Sequence, residues 1–203
     1  MSHYFITPRG RGGRGRTRIV RARIWGHELT LTSADGVFSA DRLDLGTAVL
    51  LRELDPPRDR PARFLDLGCG IGPIALGLAL ECPGARIDAI DVNERAVELT
   101  AANARALGLA DRITACVPEA VEPAARYDEI WSNPPIRIGK AVLHGLLGTW
   151  LGRLVPDGVA HLVVGRNLGA DSLAAWLRQQ GWQVVRVGSA KGFRVLDVTR
   201  AIG

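Results

Sequence analysis

At 203 residues the chain is long enough for one well-buried domain and too short for two ordinary ones, and 47% hydrophobic content with mixed charge fits a soluble globular protein. The net charge of +5 is uneven: residues 1–27 hold seven arginines and no acid, whereas the remainder carries 19 basic against 21 acidic side chains. The longest mainly apolar stretch, residues 71–80, is too short to span a bilayer. No apolar core follows the basic start, and Cys69, Cys82 and Cys116 lack metal-ligand spacing, so reduced thiols in the cytoplasm are expected.

In chain order, residues 1–16 form an arginine-glycine arm that cannot bury a core and reads as flexible. Residues 17–35 follow as a β-hairpin, with strands at 18–25 and 28–32 separated by Gly26-His27. Residues 36–54 read as a loop entering a short helix, which Pro56-Pro57 ends. From residue 63 the pattern becomes regular: a strand at 63–67, an apolar helix at 73–80, a strand at 86–91, and an amphipathic helix at 94–107 ended by Gly108. Strands at 113–117 and 128–132, a helix at 141–154 and a strand at 158–164 come next. Asp171 is expected to cap a helix running to Gln180, and strands at 183–187 and 193–199 close the chain around a turn at 189–192.

Strands alternating with helices predict a Rossmann-like α/β sheet, mostly parallel, with helices on both faces. The last two strands lack an intervening helix and must pair antiparallel, giving a mostly parallel sheet with one late antiparallel hairpin. The expected organisation is arm (1–16), hairpin (17–35) and one catalytic domain (36–203).

Asp66-Leu67-Gly68-Cys69-Gly70-Ile71-Gly72 places glycines where a strand turns into a helix, so that backbone N–H groups can approach a polar ligand. A dinucleotide fingerprint would need glycine at position 73, which is proline; this argues for a ligand without a pyrophosphate. Asp66 would repel phosphates and attract the amino group of S-adenosylmethionine. Gly68, Cys69, Gly70 and Gly72 are assigned to the same ligand, although a glycine turn of purely structural use has the same sequence. Asp91, 21 residues beyond Gly70, suits an acceptor for two ribose hydroxyls. Its alternative use is a helix N-cap, for which Asn93 is better placed. Val92 is expected on the adenine face, and Glu119 or the Ala120 backbone at its edge.

Asn133-Pro134-Pro135-Ile136 closes a strand 61 residues after Gly72. An amine conjugated to a ring or carbonyl is a poor nucleophile, because its lone pair is delocalised. The Asn133 amide oxygen and the Pro134 carbonyl can each accept one of its hydrogens and turn the lone pair toward a methyl donor without a charged base. Pro135 and Pro134 fix φ and hold that carbonyl in place.

Taken together, Gly36-Val37-Phe38-Ser39, Leu43-Asp44-Leu45-Gly46-Thr47, the glycine loop, the run from Ser132 to Lys140, and Lys191-Gly192-Phe193-Arg194-Val195-Leu196 resemble the small-domain class I methyltransferases of the RsmC type. That family methylates the exocyclic amine of a guanine in 16S ribosomal RNA. The resemblance implies S-adenosylmethionine held by Asp66, Gly68, Gly70 and Asp91, with Phe38 and Thr47 lining the pocket and Asn133 and Pro134 gripping the amine. It also implies substrate contacts from Ile136, Arg137 and Lys140, no metal, and ribosomal RNA or the small subunit as partner. Ile136 stands where many amine methyltransferases have an aromatic residue, and the front domain of larger members is replaced here by the hairpin and arm. Arg9, Arg11, Arg14 and Arg16 are expected to contact RNA phosphates. Two other readings stay open: methylation of a protein glutamine, whose amide is equally planar, and a non-catalytic RNA-interaction protein that binds S-adenosylmethionine.

Overall fold

The computed structural model describes residues 16–37, 42–135 and 138–201. Among these, two antiparallel strands, β1 (Thr17–Ile24) and β2 (His27–Ala34), precede helix α1 (Leu45–Glu53). Then come β3 (Ala62–Leu67), α2 (Pro73–Glu81), β4 (Ala85–Ile90), α3 (Glu94–Ala106) and β5 (Ile113–Cys116). After a 3₁₀ turn at Pro118–Ala120, the chain continues with β6 (Tyr127–Ser132), α4 (Lys140–Leu151), β7 (Leu154–Gly165), α5 (Ala170–Gln179), β8 (Trp182–Ala190) and β9 (Phe193–Arg200).

The seven later strands form one sheet in the order β5-β4-β3-β6-β7-β9-β8. Strands β3 to β7 pair in parallel, and β9 enters antiparallel between β7 and β8. Strand order reverses between β3 and β6, so their carboxyl ends open a crevice of the kind in which α/β proteins bind ligands. One hydrophobic cluster joins α1, α2, α3 and the hairpin on one face of the sheet; the other joins α4 and α5 on the opposite face.

Helix α2 is apolar almost all round, with seven of its nine residues buried. Such a helix needs cover on both sides. The sheet supplies one and the hairpin the other, through Val20, Ala22, Ile24, Leu29 and Leu31. Strand β2 is tied down by Asn103 of α3, whose amide accepts from Thr32 N at 2.8 Å and donates to Thr32 O at 3.0 Å. A Cβ at Gly77 in α2 would lie 2.7 Å from Ile24 Cγ2 and 3.2 Å from the Trp25 ring, so the close approach requires glycine.

Several boundaries differ from the sequence expectation. The first turn is Trp25-Gly26, both with positive φ (46° and 92°), rather than Gly26-His27; two positive-φ residues match the twist of a tight hairpin. The last hairpin turns in the same way on Lys191-Gly192 alone, while Ser189 and Ala190 pair with Arg194 and Phe193 inside the sheet. Strand β7 begins at Leu154, opposite Tyr127, and its register then shifts before Val159 meets Glu129. Pro156 and Gly158 fall in that irregularity, which in sequence reads as the break between a helix and a strand. Asp171 does not cap α5: Gly169 does, at φ 101°, and Asp171 sits in the first turn. Among the described residues no helix is long and apolar enough to cross a membrane.

Replacing Gly77 by Val should force the hairpin off α2 and cost about 1–3 kcal/mol, the usual range for overpacking a core. A lowered urea midpoint at unchanged m-value is the expected result; an unchanged midpoint would show that the interface has room for a side chain.

Candidate functional site

Strand β3 delivers the chain into the crevice at Leu67, where three glycines turn it with positive φ: Gly68 at 83°, Gly70 at 58° and Gly72 at 88°. Amides of Gly68 and Cys69 both donate to Ile90 O at 2.9 Å, which welds the loop to the end of β4. An added Cβ at Gly68 or Gly70 would meet nothing within 4 Å, so these two glycines leave an open cradle. Gly72 serves packing instead: its Cβ would lie 2.9 Å from Thr100 Cγ2, and the residue does not line the cavity.

Asp91, one residue past β4, ties the loop to the start of α3 through its two carboxylate oxygens. Oδ2 accepts from Gly70 N at 3.0 Å and Oδ1 from Asn93 N at 2.9 Å. Burial raises its pKa against these bonds. Asn93 is the N-cap of α3, accepting from Arg95 N at 3.0 Å.

Asp66 is fully buried under the loop and does not line the cavity. Its Oδ2 accepts from Ala75 N at 3.0 Å, while Oδ1 has no partner. Burial pushes its pKa up to about 7, against the pull of the Ala75 N–H and with further repulsion from Asp91. Asp66, expected to attract the ligand's amino group, thus lies beneath the loop and anchors the first turn of α2 from below.

Asn133 follows β6 and faces α1. Its amide nitrogen donates to Asp44 Oδ1 and, at 3.1 Å, to Thr47 Oγ1. The same Asp44 oxygen caps α1, taking Gly46 N at 2.8 Å and Thr47 N at 3.1 Å. A carboxylate only accepts, so the NH₂ edge of Asn133 must point to Asp44. Its carbonyl edge is then the acceptor left for a ligand. Gly46 makes room for this arrangement, because a Cβ there would lie 3.0 Å from each of Asn133 Oδ1, Asp44 Oδ1 and Phe193 Cε1.

These elements enclose a cavity of about 580 Å³ whose walls include Gly68, Cys69 and Gly70, Asp91 and Val92, Thr47, and Asn133, Pro134 and Pro135. The structure thus brings together residues expected from four separate stretches of sequence. Glu119 and Ala120 are exposed on the 3₁₀ turn and do not line the cavity; Pro118, at the start of that turn, does. Lys140 opens α4, is exposed and lies off the cavity wall. Arg16 is exposed beside β1, whereas Phe38, Ile136, Arg137, Arg9, Arg11 and Arg14 lie outside the described residues. Sequence reasoning missed Asp44, Pro118, Leu168 and Phe193 as wall residues. Asp44 carried a usable signal, an acidic residue just before a helix with Thr three positions on.

The chain matches the model of the methyltransferase small domain over residues 28–197. It is 34% identical to the Bacillus subtilis protein YbxB over 88% of this chain and 89% of that one. Ribosomal RNA small subunit methyltransferase C of Klebsiella pneumoniae is 40% identical over 57% of this chain, but over only 34% of its own length. Among solved structures, the Thermus thermophilus 16S rRNA N2 G1207 methyltransferase, in complex with AdoMet and guanosine, superposes with a TM-score of 0.74 at 29% identity. That match covers 91% of this chain and 51% of the other, so the chain spans a third to a half of these RsmC relatives.

Fold and cavity define an S-adenosylmethionine-dependent class I methyltransferase. The chain belongs to the methyltransferase small domain family, in its RsmC-type class.

Asp66 gives the site a testable pH dependence. Its pKa rises from about 3.9 in the unfolded chain to about 7 in the fold. A carboxyl raised in this sense costs nothing below its unfolded value, and its penalty on the fold grows as pH climbs to the folded value. Asp66→Asn keeps an acceptor for Ala75 N and removes the titration. Between pH 5 and 8, wild type should therefore lose stability relative to the variant; a constant difference in urea midpoints over that range would show that Asp66 does not titrate there.

Proposed function

We propose that this methyltransferase modifies an exocyclic base amine of RNA, guanine in 16S ribosomal RNA, on the small subunit or its precursor in the cytoplasm. The observation that carries the reading is the orientation of Asn133: its NH₂ is engaged by Asp44 and Thr47, and its carbonyl oxygen is left for a donor. A guanine amine is such a donor, planar and with two hydrogens. The similarity to the Thermus thermophilus 16S rRNA N2 G1207 methyltransferase supports the choice of base.

S-adenosylmethionine supplies an electrophilic methyl group. Gly68 and Gly70 bring open backbone close to it, and each Asp91 oxygen retains a lone pair toward ribose hydroxyls beyond the amide it already accepts. Val92 and Pro118 offer apolar surface for the adenine. The unpartnered Oδ1 of Asp66 beneath the loop favours a cationic ligand above it. On the substrate side, Asn133 Oδ1 and the Pro134 carbonyl accept the two amine hydrogens. This turns the lone pair out of conjugation and toward the methyl. The extra proton of the methylated amine is acidic enough to leave to water, so the site needs no dedicated base.

Asn133→Ala should leave cofactor affinity within a few-fold and lower turnover by roughly two to three orders of magnitude, as for loss of a positioned polar group. Turnover near wild type would end the amine-clamp mechanism. Asp91→Ala should weaken S-adenosylmethionine binding by about 1.5–3 kcal/mol while the far-ultraviolet circular dichroism spectrum stays unchanged. Calorimetric titration with unaltered affinity would remove Asp91 from the cofactor site. The substrate is tested by nucleoside mass analysis of 16S rRNA from cells with and without the gene. Loss of one N2-methylguanosine is expected; intact rRNA accompanied by loss of a protein methylglutamine would transfer the same chemistry to a protein amide.

A further inference from the structure

Beside the catalytic cavity, on the face of the sheet that carries α5, a second cleft of about 340 Å³ is lined by Asp171, Ala174, Arg178, Arg186, Arg194 and Leu196. Three guanidiniums thus face one carboxylate. Beyond residue 27 the chain carries more acids than bases, so this concentration of positive charge is local and not a sample of the surface at large. Like charges gathered in this way repel one another unless an anion joins them.

The three arginines are prepared to different degrees. Arg194 is the most enclosed, with 21% of its side chain exposed, and pairs with Asp171, which is 67% exposed. Arg178 is oriented by one hydrogen bond to Val184 O at 2.7 Å, which leaves most of its five N–H donors unspent. Arg186 is exposed on the edge strand β8, and its side chain makes no hydrogen bond or ion pair among the described residues.

The cleft is continuous in chain with the catalytic cavity at two points. Leu168 lines the cavity, and Asp171 follows three residues later, at most about 11 Å of chain away. Phe193 also lines the cavity, and Arg194 is its neighbour on β9, facing the other side of the sheet. From there the cleft follows α5 toward Arg178, so its anion-binding groups succeed one another away from the mouth.

We infer that this cleft is a phosphate-binding track for the RNA strand adjoining the methylated base, with Arg194, Arg186 and Arg178 as successive ligands and Asp171 as the competing anion that the phosphate displaces. The inference rests on the RNA reading above and assigns a surface to it. An RNA backbone fits because it repeats its charge along a line, as the arginines do, and because guanidinium forks match phosphate oxygens in pairs.

The test uses residues whose loss leaves the fold alone. Arg186 has no partner to lose, and the Arg194–Asp171 pair lies at the surface, where such pairs contribute little stability. Binding of full-length protein to oligouridylate and to 16S rRNA is measured over a salt series for wild type, Arg186→Gln and Asp171→Asn, with thermal midpoints as the folding control. Each phosphate contact on a single strand contributes a logarithmic salt slope of about 0.7. Arg186→Gln should flatten the slope by about that amount. Asp171→Asn should bind RNA more tightly at low salt and give a steeper slope, because it releases Arg194 from its internal anion. Losing an aspartate strengthens RNA binding to any basic face, so the slope change in Arg186→Gln is what separates a phosphate contact from a merely solvated charge. Salt slopes parallel to wild type in both variants overturn the inference, even if rRNA methylation is found. Shifted slopes uphold it, even if nucleoside analysis finds no methylated guanine and the rRNA reading falls.

Discussion

Asp44 Oδ1 accepts three N–H groups at once: two that begin helix α1 and one from the side chain of Asn133, 89 residues further along the chain. The chemistry of the pocket depends on this shared acceptor. A carboxamide has two edges of similar shape and opposite polarity, and the proposed amine substrate would call for the oxygen edge. Fixing the nitrogen edge on a carboxylate decides the matter before substrate arrives, and Thr47 Oγ1 adds a second acceptor for the same NH₂. Preorganised polar groups cost no reorganisation at the moment of reaction. Helix α1 in turn packs on β7, β9 and β8, so the far half of the sheet supports the group that orients Asn133.

The N-terminal hairpin enters the same chain of support. It belongs to the hydrophobic cluster that contains α2 and α3. Asn103 is the link: besides its two bonds to Thr32 of β2, its amide nitrogen donates at 3.0 Å to Ile71 O in the glycine loop. Asn103 is buried and its side chain is fully engaged, a state in which a polar group specifies geometry at little cost. Strand β2 is therefore tied through Asn103 to the glycine loop, although none of its residues lines the cavity.

What the sequence disclosed and what it hid divide along a physical line. Strand and helix positions, the glycine turn and the Asn93 cap depend on neighbours within a few residues, and these were legible. Asn133-Pro134-Pro135 was legible because two prolines after a strand restrict the backbone wherever they occur. The Asp44–Asn133 contact was not, since no local rule joins positions so far apart. Glu119 and Ala120 were placed by counting from the strand end, but the 3₁₀ turn directs Pro118 inward and leaves the other two exposed. Asp171 had the composition of a cap; Gly169, two residues earlier, already takes the left-handed conformation that starts α5. Asp66 was read by its charge, whereas its complete burial makes it an anchor for α2.

Strand β6 shows how rigidity is concentrated just before Asn133. Side chains alternate along a strand, so Glu129 and Trp131 share the face that continues to Asn133. Trp131 is held edge-on by Trp25 at 5.7 Å, stacks obliquely on His161 at 4.4 Å, and donates its indole N–H to Glu129 at 2.8 Å. Burial alone would lower the pKa of His161, but its hydrogen bond to Asp197 and the neighbouring Glu129 carboxylate outweigh it and raise the value to about 8. At neutral pH the ring is therefore a cation bonded to Asp197 at 2.7 Å, with Glu129 3.7 Å from its other nitrogen. A buried ion cluster of this kind is an expensive way to gain stability. Its use here lies in position: it pins β6 to β7 and β9 two and four residues before Asn133, so that the strand end cannot drift relative to Asp44. The hairpin reaches the same point through Trp25, and the glycine loop through its pairing of β3 with β6. The glycine loop and Asn133 are thus referenced to one strand, as the proposed in-line transfer between two bound molecules would require.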